Sequence, residues 1–189
     1  MEVHNNLGNA LANLGKVDEG IAHYWITLRQ KPDHADAHNN LGVALAMKGQ
    51  LDEAIHHLKE AIRLNPKNAS AHSNLGNALA GQRKFDEAIE QYLISLQIKP
   101  DESQAHNNLA NVLAEKGRLD EADQHYGEAL KLNSKNPEAH FNFGIALVRQ
   151  GKREEAAAHF SEALRLKPDY AGARQQLRAL TNSPSVKIR

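Results

Sequence analysis

Apolar residues return along this chain at intervals of three and four. Leu41, Ala44 and Leu45 form one such stripe, and Leu51, Ala54, Ile55, Leu58, Ala61 and Ile62 form another. Each marks a helix that buries one face. Between them Gly49 breaks the first helix, Asp52 is placed to cap the second, and Pro66 stops it. The pattern predicts a helical hairpin.

The hairpin then repeats. His4, His38, His72, His106 and His140 each stand 34 residues after the last, inside the phrases His4-Asn-Asn-Leu-Gly8, His38-Asn-Asn-Leu-Gly42, His72-Ser-Asn-Leu-Gly76, His106-Asn-Asn-Leu-Ala110 and His140-Phe-Asn-Phe-Gly144. In phase with them run Val17-Asp-Glu-Gly20, Leu51-Asp-Glu-Ala54, Phe85-Asp-Glu-Ala88, Leu119-Asp-Glu-Ala122 and Arg153-Glu-Glu-Ala156. Pro32, Pro66, Pro100 and Pro168 close four units, and Ser134 stands in the remaining place. The predicted units are 1–34, 35–68, 69–102, 103–136 and 137–170. Small residues at matching places, such as Gly42 and Ala54, let the two helices of a pair approach closely; they are packing positions rather than a phosphate loop. From Ala171 to Leu180 the first-helix pattern returns with Arg174 in the histidine place and Arg178 in the small-residue place. This predicts a polar capping helix over 171–180 and a loose tail over 181–189. Met1 lies almost at the first helix without a cap, so the natural protein is expected to continue upstream.

These residues resemble the tetratricopeptide repeat family, whose 34-residue pattern runs Trp-x2-Leu-Gly-x2-Tyr, then Ala, Phe and Pro. Departures are His for the leading Trp, Leu11, Leu45, Leu79, Leu113 and Leu147 for the Tyr, and Arg83 for a turn Gly. The resemblance implies an all-α, right-handed superhelical solenoid whose first helices line a concave groove where ligands bind. It also implies a non-catalytic protein–protein interaction module.

At 100° per residue, the groove side of the first helices carries Asn5, Asn6 and Asn9; Asn39, Asn40, Val43 and Met47; Asn74 and Asn77; Asn107, Asn108 and Asn111; and Phe141, Asn142 and Ile145. Glu2, Asp36, Glu115 and Glu138 against Arg149 make this face mildly acidic. Asn6, Asn40, Asn74, Asn108 and Asn142 form a column with one carboxamide per unit, each able to donate to and accept from a main chain. The column resembles the asparagine ladder of the tetratricopeptide arm of the O-linked N-acetylglucosamine transferase. The expected ligand is an extended peptide or partner segment. Val43 with Met47 and Phe141 with Ile145 are its apolar interruptions, read either as side-chain pockets or as local packing. The clamp that some arrays use for acidic carboxyl-terminal tails needs cations where Asn5, Ser70 and Asn74 stand. Two alternatives stay open: the docking or regulatory arm of a larger enzyme such as a glycosyltransferase, and a self-associating scaffold.

Composition narrows the field. Lys plus Arg and Asp plus Glu are 23 each, so no net field draws nucleic acid or an anionic membrane. No cysteine is present, which excludes disulfides, thiolate zinc sites and cysteine nucleophiles. The longest apolar run, Val43 to Met47, is far short of the roughly 20 residues that cross a bilayer. Met1 to Asn6 has no secretory character; the location is open, with the cytoplasm favoured. No catalytic motif appears, and no cofactor is expected. Of the 11 histidines, the five periodic ones fall on the buried side, where mild acid should destabilise the array. His23, His57, His125 and His159 flank the second helices and are expected to be solvated. The compact pairs His34/His38 and His56/His57 lack a third ligand, so no metal site is expected. Trp25 lies off the main stripe and is expected to be half exposed.

Overall fold

The structure is a computed structural model that describes residues 2–182. Among them are eleven helices and no strand: α1 (Glu2–Asn13), α2 (Val17–Gln30), α3 (Ala35–Met47), α4 (Leu51–Leu64), α5 (Ala69–Gly81), α6 (Phe85–Ile98), α7 (Ser103–Glu115), α8 (Leu119–Leu132), α9 (Pro137–Arg149), α10 (Arg153–Leu166) and α11 (Ala171–Asn182). They make five hairpins and a final helix, in two compact units of residues 1–100 and 101–189. In the first unit α1/α2, α3/α4 and α5/α6 pair, α2 packs on α3 and α4 on α5, and α1, α3 and α5 lie side by side. In the second, α7/α8 and α9/α10 pair, α9 lies beside α7, and α10 packs on α11. No helix among the described residues is long and apolar enough to cross a membrane.

The predicted stripe of α3 is the buried one: Ala37, Leu41, Ala44 and Leu45 are 3% exposed or less. Within a hairpin the two backbones come so close that a Cβ at Gly8, Gly42, Gly76 or Gly144 would lie 2.6–2.7 Å from Tyr24, Leu58, Tyr92 or Phe160. Ala110 holds that place in the fourth hairpin and is fully buried. The hairpin turns need a left-handed residue, and Gly15, Gly49, Gly117 and Gly151 supply it at φ 76–79°. Arg83 adopts the same conformation at φ 59°, with its guanidinium 5.2 Å from the Phe85 ring.

Asp52 does not cap α4. The cap residue is Gln50, with no side-chain bond, and Asp52 lies inside the first turn beside Glu53. The turn leaves two residues fewer between the helices than the capping reading required. The acids at 18/19, 52/53, 86/87, 120/121 and 154/155 instead meet the partial positive charge of a helix start. Side-chain caps belong to first helices: His34, Asn68 and Asn136 accept from backbone N–H groups of α3, α5 and α9. At the far end Leu177 and Leu180 of α11 pack on the cluster of Leu147, Ala156 and Phe160. Arg174 donates to the Pro168 carbonyl. The helix runs to Asn182, and the rest of the predicted tail lies outside the described residues.

A methyl group added at Gly49 meets no atom within 4 Å, so its effect is purely conformational. Gly49→Ala is expected to lower stability by about 1 kcal/mol, read as an earlier urea midpoint with unchanged helical circular dichroism. An unchanged midpoint would remove the left-handed requirement at this turn.

Candidate functional site

The asparagines of the first helices are bonded to one another. In the first unit Asn74 Nδ2 donates to Asn39 Oδ1 (3.0 Å), Asn39 Nδ2 to Asn40 Oδ1 (3.2 Å), and Asn40 Nδ2 to Asn5 Oδ1 (3.2 Å). Asn40 and Asn74 of the predicted column are thus laced to Asn5 and Asn39 across three successive hairpins. Asn6 is exposed, whereas Asn5 is 8% exposed, an interhelical residue rather than the groove residue the helical wheel implied. Asn107 is likewise buried, at 3% exposure. Asn5 sits where α1 meets α3, a contact that a wheel of one isolated helix does not contain. Asn107 donates to Asn108 (3.3 Å), which also accepts from Gln104 (2.9 Å), while Asn107 Oδ1 is buried without a partner. Asn142 is half-buried.

A second row was not anticipated in full. The Tyr24, Tyr92 and Tyr126 hydroxyls donate to Oδ1 of Asn9, Asn77 and Asn111, each at 2.7 Å. Burial pushes the pKa of all three tyrosines up, so each stays a donor at neutral pH. A carboxamide whose oxygen is held this way turns its N–H2 outward. The two hairpins without such a tyrosine have Leu58 and Phe160 in its place, and there the first helix carries Val43 and Ile145 instead of asparagine. The signal was present as a spacing of 15 residues: Asn with Tyr, aliphatic with Leu or Phe.

Each unit has a cavity on this face. That of the first unit, about 400 Å³, is lined by Asn9, Tyr24, Asn39, Asn40, Val43, Met47 and Asn74, and Met47 is 64% exposed. That of the second, about 230 Å³, is lined by Asn111, Glu115, Tyr126, Phe141, Asn142, Ile145 and Arg149. Arg149 pairs with Glu115 at 2.7 Å, which removes part of the acidity expected of this face. Ile145 and Phe141 also pack on the Phe160 cluster, so these residues serve packing and cavity together.

His57 is buried, and His23, His125 and His159 are half-buried rather than fully solvated. Their Nδ1 atoms lie 2.9–3.0 Å from Nδ1 of His4, His38, His106 and His140. Opposed helices bring residues 19 apart together, which no single-helix periodicity displays. Ring centroids are 5.1–5.2 Å apart, little more than the N···N distance plus two ring radii, so the nitrogens point straight at each other. That is a hydrogen bond; a chelated ion needs lone pairs converging at about 2 Å. No group of three possible metal ligands exists among the described residues. His38 and His140 also donate from Nε2 to the carbonyls of Pro32 and Ser134, tying the inter-hairpin linker to the first helix. His72 makes the same linker bond to Pro66 and meets Gln91 instead of a histidine.

Family models described as TPR repeat match residues 44–83 and 110–151, and models described as tetratricopeptide repeat match 23–56, 73–126 and 137–170. The chain belongs to the tetratricopeptide repeat family, whose arrays serve as protein-interaction modules. No curated protein sequence matches it significantly. Similar solved structures include TTC0263, a thermophilic TPR protein of Thermus thermophilus (TM-score 0.80, 20% identity, 95% of this chain and 98% of that one). PilF of Pseudomonas aeruginosa follows with 0.79, 19%, 95% and 87%. YrrB, a TPR protein with an unusual peptide-binding site, gives 0.72, 21%, 93% and 90%.

Burial, with His38 and His56 nearby, lowers the pKa of His57 to about 4, and burial first lowers those of His125 and His159; Glu60, Glu121, Glu128 and Glu155 pull weakly the other way. The unfolded chain takes these protons near pH 6.5 and the folded chain resists them, so stability is complete above that pH and lost on descending toward 4. The thermal midpoint is expected to be about 5 °C lower at roughly pH 5 than at roughly pH 7.5; a flat profile would contradict it.

Proposed function

We propose that this chain binds an extended polypeptide segment along the faces of its first helices, with asparagine amides meeting the ligand main chain. The site comprises Asn9, Asn77 and Asn111 together with Asn6, Asn40, Asn74, Asn108 and Asn142. Val43 with Met47 and Phe141 with Ile145 receive side chains. The observation that carries this reading is the tyrosine row: the Asn9 and Asn111 amides, whose carbonyls are already engaged by Tyr24 and Tyr126, carry N–H2 groups suited to peptide carbonyls. An extended chain exposes carbonyls whatever its sequence, so this contact reads main chain, and the two cavities supply selectivity. Membership in a family of interaction modules supports it, as does the similar fold of YrrB. The likeness to the ladder of the O-linked N-acetylglucosamine transferase arm belongs to the same reading, with the laced column as its frame.

Selection from a random peptide display library tests it, repeated on the double variant Asn111→Val with Tyr126→Phe. That combination closely copies Ile145 with Phe160 in the fifth repeat, so the hairpin is expected to fold. Enriched peptides should bind the variant about fivefold more weakly, as expected for one lost hydrogen bond. No enrichment, or peptides indifferent to the change, would overturn the proposal.

A further inference from the structure

A second cleft, about 460 Å³, opens between α2 and α4 and is lined by Trp25, Asp52, Glu53, His56 and His57, all outside the first-helix faces. We propose that it binds the arginine side chain of a partner polypeptide, stacked on Trp25 and hydrogen-bonded to Asp52, Glu53 and His57.

Trp25 is 40% exposed, a large apolar surface left to solvent, and its ring stands perpendicular to that of His57 at 5.1 Å. Asp52 and Glu53 are exposed, and neither forms an ion pair among the described residues; Asp52 Oδ1 accepts from Gln82 Nε2 at 2.6 Å and keeps its other oxygen. His57 is only 7% exposed yet lines the cleft. The Pro32 carbonyl can only accept, so His38 donates to it from Nε2, and with both rings neutral its Nδ1 accepts from His57 Nδ1–H. A neutral His57 therefore carries its lone pair on Nε2, which has no hydrogen-bond partner among the described residues.

The cleft thus offers an aromatic face, two carboxylates and a buried acceptor. A quaternary ammonium has no N–H for His57. An ammonium has donors but no plane to lay on an indole. A guanidinium has both, and its fork fits a carboxylate. The repeat itself points the same way. Lys59 stands 34 residues after Trp25, and Asp86-Glu87 follow it as Asp52-Glu53 follow Trp25. At that register the next hairpin carries its own cation, whereas this one carries an aromatic.

Trp25 is the sole tryptophan, so its emission reports the cleft alone. The full chain is titrated with acetyl-Gly-Arg-Gly-amide and with its lysine and citrulline counterparts. The arginine peptide should change the emission saturably, the lysine peptide should bind several-fold more weakly, and the neutral citrulline peptide should have no effect. Asp52→Asn with Glu53→Gln should weaken arginine binding about tenfold or more. No saturable change, equal responses to the three peptides, or full binding by the charge-neutralised variant would each overturn the proposal. The cleft shares no lining residue with the first-helix faces, so groove variants should leave this signal unchanged and the outcome is independent of the peptide reading above.

Discussion

The approach distance between the two helices of a hairpin controls the rest of this structure. At Gly8, Gly42, Gly76 and Gly144 there is no room for a Cβ against the ring or leucine of the opposite helix. Only at that separation does a tyrosine hydroxyl on the second helix reach an asparagine on the first, and a histidine reach the histidine 19 residues before it. Ala110 shows how much slack exists: one methyl is accommodated, and Tyr126 still reaches Asn111 at 2.7 Å. A larger residue there would separate the helices and undo the polar contacts, because hydrogen bonds fade over a few tenths of an ångström whereas apolar contact fades gradually.

Those polar contacts change what the interior specifies. Alanine and leucine dominate the core, and such surfaces tolerate sliding by a turn at small penalty. A histidine pair, a Tyr–Asn pair and a linker carbonyl held by His38, His72 or His140 do not, since a shift leaves buried donors and acceptors unmet. The polar bonds fix register, and the apolar stripes supply most of the stability. Arg174 preserves the linker bond in α11 with a different donor, which marks that bond as part of the repeat's architecture rather than a property of histidine.

Much of this was legible in the chain. The 34-residue period set the hairpins, the α3 stripe is the buried one, Trp25 is partly exposed, and Arg83 takes the left-handed conformation of the glycines it replaces. What escaped were relations between helices. His57 looked solvated because a wheel of α4 shows it on a flank; the partner that buries it belongs to α3. Asn5 looked like a groove residue because the wheel of α1 omits the neighbouring α3. Asp52 looked like a cap because the turn length was unknown, and a shift of two residues converts a cap into a first-turn acid. The histidine and asparagine errors concern contacts between elements, and the Asp52 error concerns where an element begins.

The pairing of positions 15 apart bears on how such a surface diversifies. An asparagine on the first helix is useful beside a tyrosine and poorly placed without one, since its carbonyl would then be half-desolvated above leucine or phenylalanine. Val43 above Leu58 and Ile145 above Phe160 avoid that penalty. Each hairpin therefore presents one of two coherent faces, an oriented amide or an aliphatic patch, and the choice is made together with a buried residue on the second helix. Replacing the surface residue alone creates a mismatch, whereas replacing the pair exchanges one face for the other. The order along this chain is amide, aliphatic, amide, amide, aliphatic.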